Sequence, residues 1–129
     1  MANFICPECK EPSLSITHSI KFDGDARSDD ISLQAIACSA CDFRGRATYE
    51  ESRRGPMDSE SWHHDGSPIA PEDYKELVAL LEACPDQPND RCQCKSHQKL
   101  GKKDERGRWT GSHDFKSLPP HLFFMQRSQ

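Results

Sequence analysis

Residues 6–41 read CPECKEPSLSITHSIKFDGDARSDDISLQAIACSAC, and this stretch decides the fold. It opens on Cys6-Pro-Glu-Cys9 and closes on Cys38-Ser-Ala-Cys41, two CxxC pairs with 28 residues between them. A CxxC turn brings two sulfurs toward one point. Two such turns complete the tetrahedral shell that zinc takes with thiolates at about 2.3 Å. The intervening residues supply the means of bringing the pairs together. Leu14, Ile16, His18, Ile20 and Phe22 alternate with Ser15, Thr17, Ser19 and Lys21, the period of a half-buried strand. Ile31, Leu33, Ala35 and Ala37 alternate with Ser32 and Gln34 in a second strand, and DGDARSDD between the two is a polar turn. Arg46 to Glu50 gives a shorter third strand with Ala47 and Tyr49 inward. His18 falls on the apolar side of its strand and reads as a core histidine.

Two such knuckles on a β framework resemble the zinc-ribbon superfamily, over about residues 4–51. Many ribbons carry Gly after the second cysteine of each knuckle, where Lys10 and Asp42 stand in this chain. The resemblance implies a closed four-thiolate site that is structural, because no coordination position is left for a substrate. Ribbons serve nucleic-acid and protein contacts alike, so it implies no single activity.

Composition agrees with a metal-stabilised chain. Of 129 residues only 34% are hydrophobic, so the core is thin and apolar burial alone stabilises it weakly. No stretch approaches the roughly 20 apolar residues of a membrane span. The N-terminal MANFICPECK lacks a basic leader followed by an apolar core, so a cytoplasmic location is expected. In that compartment thiols bind metals more readily than they pair, and seven cysteines, an odd number, fit a disulfide framework badly.

Beyond the ribbon, taken as residues 1–54, the Pro- and Gly-rich residues 55–71 read as a loop. Residues 72–83 read as an amphipathic helix. Pro71 sits at its first turn, Glu72 and Asp73 complement its dipole, and Tyr74, Leu77, Val78 and Leu81 form one stripe. Residues 84–129 are irregular, with a turn at Asp104–Gly107 and an apolar tail. Helix, second cysteine cluster and tail (residues 72–129) are expected to pack on the ribbon as one unit. The fold class is a small α+β zinc-bound protein. A second four-donor set is available in CPDQPNDRCQCKSH: Cys84, Cys92, Cys94 and His97, with His63 or His64 as alternatives to the last. Two zinc ions per chain are expected.

The functional signals are weaker. Arg44, Arg46, Arg53 and Arg54 cluster near the second knuckle and the last ribbon strand, and guanidinium groups suit phosphate oxygens. Residues 91–108 hold seven basic residues against two acids, +5, while the remainder holds ten against nineteen, −9. Such asymmetry marks a partner-facing patch, with Trp109 at its end. Ser61-Trp62-His63-His64-Asp65 offers a general base or a catalytic metal site, with Glu50 and Glu51 as neighbours. No HExxH, GxSxG or phosphate-cradling Gly-rich motif accompanies it. Asp23, Asp25, Asp29 and Asp30 lack the EF-hand pattern and read as an acidic hairpin tip. Leu118, Leu122, Phe123, Phe124 and Met125 form a tail that docks on the core or on a partner. The expectation is a non-catalytic binding or adaptor module in a larger protein or nucleoprotein assembly. Protein partners stand ahead of nucleic acid, with neither membrane nor small-molecule substrate. The alternatives are a nucleic-acid-binding ribbon using the arginines and the 91–108 stretch, and a metal-dependent hydrolase using His63, His64 and Asp65.

Overall fold

The computed structural model describes residues 3–119 and 121–128. The two alternating runs between the knuckles form strands β1 (Leu14–Phe22) and β2 (Asp30–Cys38), followed by β3 (Arg44–Ser52). Residues 55–71 are not a continuous loop: Ser61–Pro68 form strand β4, which pairs with β3 from Ser52↔Ser61 to Gly45↔Pro68. Helix α1 (Pro71–Ala83) and the short helix α2 (Lys95–Leu100) come next. Strand β5 (Phe123–Phe124) then closes an antiparallel meander of order β1-β2-β3-β4-β5. No helix among the described residues is long and apolar enough to cross a membrane.

The β1 alternation does not keep to one face. The register shifts between Ile16 and His18, leaving Thr17 as the extra residue of a bulge. Because side chains alternate with period 2, one inserted residue turns the rest of the strand over. Leu14 therefore packs with Phe4, Ile36, Phe43, Ala47 and Met125 on one face of the sheet. Ile20 and Phe22 pack with Leu33, Leu77, Leu81 and Trp109 on the other, under α1. β2 serves both cores, with Leu33, Gln34, Ala35 and Ile36 all buried. His18, beside the bulge, is not a core residue; it sits at the sheet's rim, 3.2 Å from Glu82 of α1.

Helix α1 forms where the sequence places it. Pro71 occupies the first turn, Glu72 and Asp73 lie near the positive end of the dipole, and Leu77 and Leu81 are fully buried. Each buried leucine contributes about 2 kcal/mol of transfer free energy. The helix stops at Cys84, one residue before Pro85. The tail docks on the Leu14–Ile36 face of the sheet through Met125, 2% exposed, and leaves Leu122 and Phe124 in solvent. A Cβ at Gly66 of β4 would lie 2.7 Å from the Phe123 ring, so a side chain there would displace that ring.

The acidic hairpin tip is a tie, not a free surface. Asp25 Oδ1 accepts the N–H groups of Arg27 and Ser28, and its Oδ2 accepts Trp109 N–H at 2.7 Å. Burial opposes ionisation of this carboxyl, but the three N–H bonds outweigh it and hold it below the usual carboxylate range. Asp29 and Asp30 are paired with Arg54 and Arg53.

Candidate metal centres

The first centre is built at one end of the β1–β2 hairpin. Cys38 is the last residue of β2 and faces Leu14 across the register. Cys6 and Cys9 lie on a turn closed by Lys10 N–H to Cys6 O. Cys6 Sγ is 3.7 Å from Cys41 Sγ, and Cys9 Sγ is 3.7 Å from Cys38 Sγ. The edge of a tetrahedron of thiolates at about 2.3 Å from an ion is about 3.8 Å, so this spacing fits one tetrahedral metal. Lys10 pays for the knuckle with a left-handed backbone, φ 66°. Asp42 takes no such conformation, so only the first knuckle asks for glycine.

The second centre lies between two helix ends. Cys84 caps α1 and Cys94 caps α2, and His97 sits in the first turn of α2. His97 Nδ1 is 3.2 Å from Cys84 Sγ and 3.3 Å from Cys94 Sγ, and Cys92 Sγ is 3.9 Å from Cys84 Sγ. The other ring nitrogen, Nε2, faces Lys21 O at 2.8 Å. A carbonyl only accepts, so Nε2 carries the proton and Nδ1 keeps its lone pair for a metal. All four donor atoms of each set lie within 4.8 Å of one another.

The thiols themselves favour a cation. Burial raises the Cys38 thiol, but Ser13 Oγ at 3.0 Å and the Ala40 N–H outweigh it and bring it down to about 6. The Phe43 N–H lowers Cys41, yet burial and the sulfurs of Cys38, Cys6 and Cys9 push it up to about 12. The second centre repeats the contrast. Burial opposes the Cys94 thiolate, but the His97 backbone N–H leads the contacts that bring it down to about 6, while burial pushes Cys84 up to about 11. In each cluster one thiolate is stabilised and a neighbour resists ionising beside it. A bound divalent ion removes that conflict.

The remaining candidates are not assembled into a site. His63 and His64 are neighbours on β4 and point to opposite faces; His63 is exposed, and His64 is buried with Nε2 2.7 Å from Gln34 Oε1. Neither belongs to a metal-donor group, so the fourth donor of the second centre is His97. His64 therefore stands apart from His63 and Asp65, which share the other face of β4. Glu50 lies opposite His63 in the register, with its carboxyl raised by burial, but no hydrogen bond joins the two.

The four arginines serve the fold. Arg44 donates to Cys38 O and Phe43 O, and Arg46 to Phe115 O and Ser117 Oγ. Arg53 pairs with Asp30 and Glu51, and Arg54 with Asp29. In the 91–108 stretch, Lys99 pairs with Glu76, and Lys103 donates to Gly24 O. Asp104 Oδ1 closes the turn by accepting Arg106 and Arg108 N–H. Trp109 is not a surface ring at the end of this array; it is buried, with its indole N–H on Leu100 O.

No family model, curated protein or solved structure matches the chain. The geometry alone identifies a cysteine cluster on an antiparallel sheet, compatible with a zinc ribbon, and a second group of three cysteines and a histidine that could hold a metal.

Proposed function

We propose that the chain is a zinc-stabilised, non-catalytic binding module that works in a larger protein assembly, with one zinc ion at each centre. The observation that carries this reading is that each donor set is complete from the protein's own side chains, three or four sulfurs with the balance from His97. Thiolate-rich tetrahedral sets of this kind suit structural zinc and leave no open position for a substrate or water. The opposite orientation of His63 and His64 on β4 supports the non-catalytic half of the reading.

Elemental analysis of the purified chain is expected to find two zinc ions, falling to one in Cys92→Ser. A different resident metal, or a ligand exchangeable with solvent at either ion, overturns the zinc and structural assignments. A second reading, contact with nucleic acid, is favoured by the exposed cations Arg91, Lys95, Lys102, Arg106 and Arg108 of residues 91–108. It predicts binding to single- or double-stranded nucleic acid that falls steeply between low and physiological salt. Absence of binding at low salt, beside recovery of protein partners, decides for the first reading.

A further inference from the structure

Three aromatic rings stand side by side where β3, β4 and the tail meet. Trp62 and His64 are two residues apart on β4 and share a face. Tyr49 of β3 lies opposite His64, so Trp62 is its diagonal neighbour, within reach of a large ring. The Trp62 ring lies 6.4 Å from Tyr49 at an interplanar angle of 22°, and 5.8 Å from Phe124 of β5 at 35°. The rings are thus close to parallel and form ridges with furrows between them. Trp62 is 52% and Phe124 57% exposed. With buried His64 and Met125, and with Arg127, they line a cleft of about 380 Å³.

The chemistry of the cleft selects its occupant. Arg127 is the permanent charge that lines it, and it forms no ion pair among the described residues. A methylated ammonium, which aromatic boxes take, would meet that guanidinium and rings that lie parallel instead of enclosing a point. A nucleic-acid strand would carry phosphates past Glu51, which accepts the Tyr49 hydroxyl at 2.7 Å, and past exposed Glu60, two residues before Trp62. A proline-rich segment meets neither obstacle. Its polyproline II helix has an uncharged backbone, rises about 3.1 Å per residue and makes no internal hydrogen bonds. Rings 5.8 and 6.4 Å apart are spaced by about two residues of that helix. Aromatic-lined grooves are the surfaces on which such segments dock. The Trp62 indole N–H and the Arg127 guanidinium only donate hydrogen bonds, and the helix leaves its carbonyls free to accept them.

We propose that this cleft binds an extended, proline-rich segment of a partner protein, with prolines on the row Tyr49, Trp62 and Phe124 and an acidic residue of the segment on Arg127. The inference rests on the adaptor reading above and names the chemistry of its partner. A segment already in the polyproline II conformation loses little conformational freedom on binding, which suits a site built from three rings and one cation. Docking also takes the Trp62 and Phe124 rings out of water.

Calorimetric titration of the full metal-loaded chain uses a synthetic oligoproline of about eight residues, long enough to span the row at about 3.1 Å per residue, ending in aspartate. Saturable binding is expected. The same oligoproline ending in lysine should bind more weakly, and a glycine–serine peptide ending in aspartate should not bind. Trp62→Ala should raise the dissociation constant by about 30-fold or more, as for an aromatic hot spot. Arg127→Glu should reverse the preference between the aspartate and lysine peptides. Since Trp62 and Arg127 are exposed, unchanged far-ultraviolet circular dichroism and metal content verify that each variant is folded. Absence of saturable binding to the aspartate peptide overturns the proposal, as does binding that Trp62→Ala leaves unchanged. A single-stranded oligonucleotide that binds through Trp62 where the oligoproline does not assigns the cleft to nucleobases, and also overturns it. A chain that fails these tests yet still recovers protein partners keeps the adaptor reading and loses only this site, so the two fail separately.

Discussion

The two metal centres use similar donors to close very different stretches of chain. The first joins knuckles separated by 28 residues and sits at the end of the β1–β2 hairpin. The second draws all its donors from residues 84–97, where almost no regular structure exists, and fastens the end of α1 to the start of α2. It reaches the sheet through His97 to Lys21 O, with Lys21 N–H to Gln87 O alongside. An ion at the first would therefore fix long-range topology, while one at the second would fix the position of a segment on a sheet that already exists. Closing the longer loop removes more conformational freedom from the unfolded chain, and the hairpin carries residues of both cores.

The largest expected effect tests this division directly. Structural zinc contributes roughly 10–16 kcal/mol in small zinc peptides, against a net stability of about 5–15 kcal/mol for a whole domain. Cys38→Ser is expected to abolish cooperative folding altogether, read as loss of the β signal in circular dichroism and of the thermal transition. Cys92→Ser is expected to lose one ion and lower the melting temperature while the sheet persists. If Cys92→Ser unfolds the sheet as completely as Cys38→Ser, the two centres are one cooperative unit and the contrast between them disappears.

Asp25 gives the next effect, because it ties the hairpin tip to the chain after the second centre. Asp25→Ala leaves the buried Trp109 N–H without its acceptor and removes two further bonds, an expected loss of about 3 kcal/mol. The folded carboxyl is depressed, so its contribution is present above the unfolded value of about 3.9 and disappears as pH falls through the folded one. Denaturant unfolding of parent and variant should therefore converge toward acid pH. A difference that stays constant across that range would mean that the carboxylate charge plays no part.

The same contrast explains what was legible beforehand. The first centre, strands β1 to β3 and α1 could be read because period and cysteine spacing are local signals. The second donor set was legible as a count of thiols, but the choice of His97 over His63 and His64 needed the fold, since it depends on Lys21 O meeting Nε2. The bulge at Thr17 was invisible because an unbroken alternation from Leu14 to Phe22 looks the same whether or not the strand turns over. Strand β4 was missed for a different reason. Ser61–Pro68 carries no apolar residue but Trp62 before its terminal proline, and its inward positions are His64 and Gly66. Those are set by Gln34 and Phe123, partners far along the chain. The partners of the arginines within the fold, largely backbone carbonyls and the hairpin-tip acids, lie outside any short motif and were not legible.

The corresponding pH effect at His64 rests on one hydrogen-bond partner, against three for Asp25. Burial holds His64 below the usual imidazole value, reinforced by Arg127 and opposed by Asp65. A histidine kept neutral by folding stabilises above its unfolded value of about 6.5, and that contribution is lost as pH falls below it. An NMR titration of the His64 ring should give a midpoint below that of a free histidine. A midpoint at or above it would show that the ring charges in place and that the Gln34 contact does not require the neutral form.

The smallest effect separates the two knuckles of the first centre. Lys10 holds φ 66°, a conformation that costs a residue with a Cβ about 1–2 kcal/mol. Glycine removes that strain but adds about 0.5–1 kcal/mol of backbone entropy to the unfolded state. Lys10→Gly is therefore expected to stabilise the protein by roughly 0.5–1 kcal/mol. Asp42→Gly makes the opposite case, because Asp42 is not among the left-handed residues and gains only the entropy penalty. Thermal unfolding of the two variants at constant metal loading should move the transition in opposite directions. A gain from both would mean that the second knuckle is strained as well, and that the two halves of the first centre are more alike than their backbones indicate.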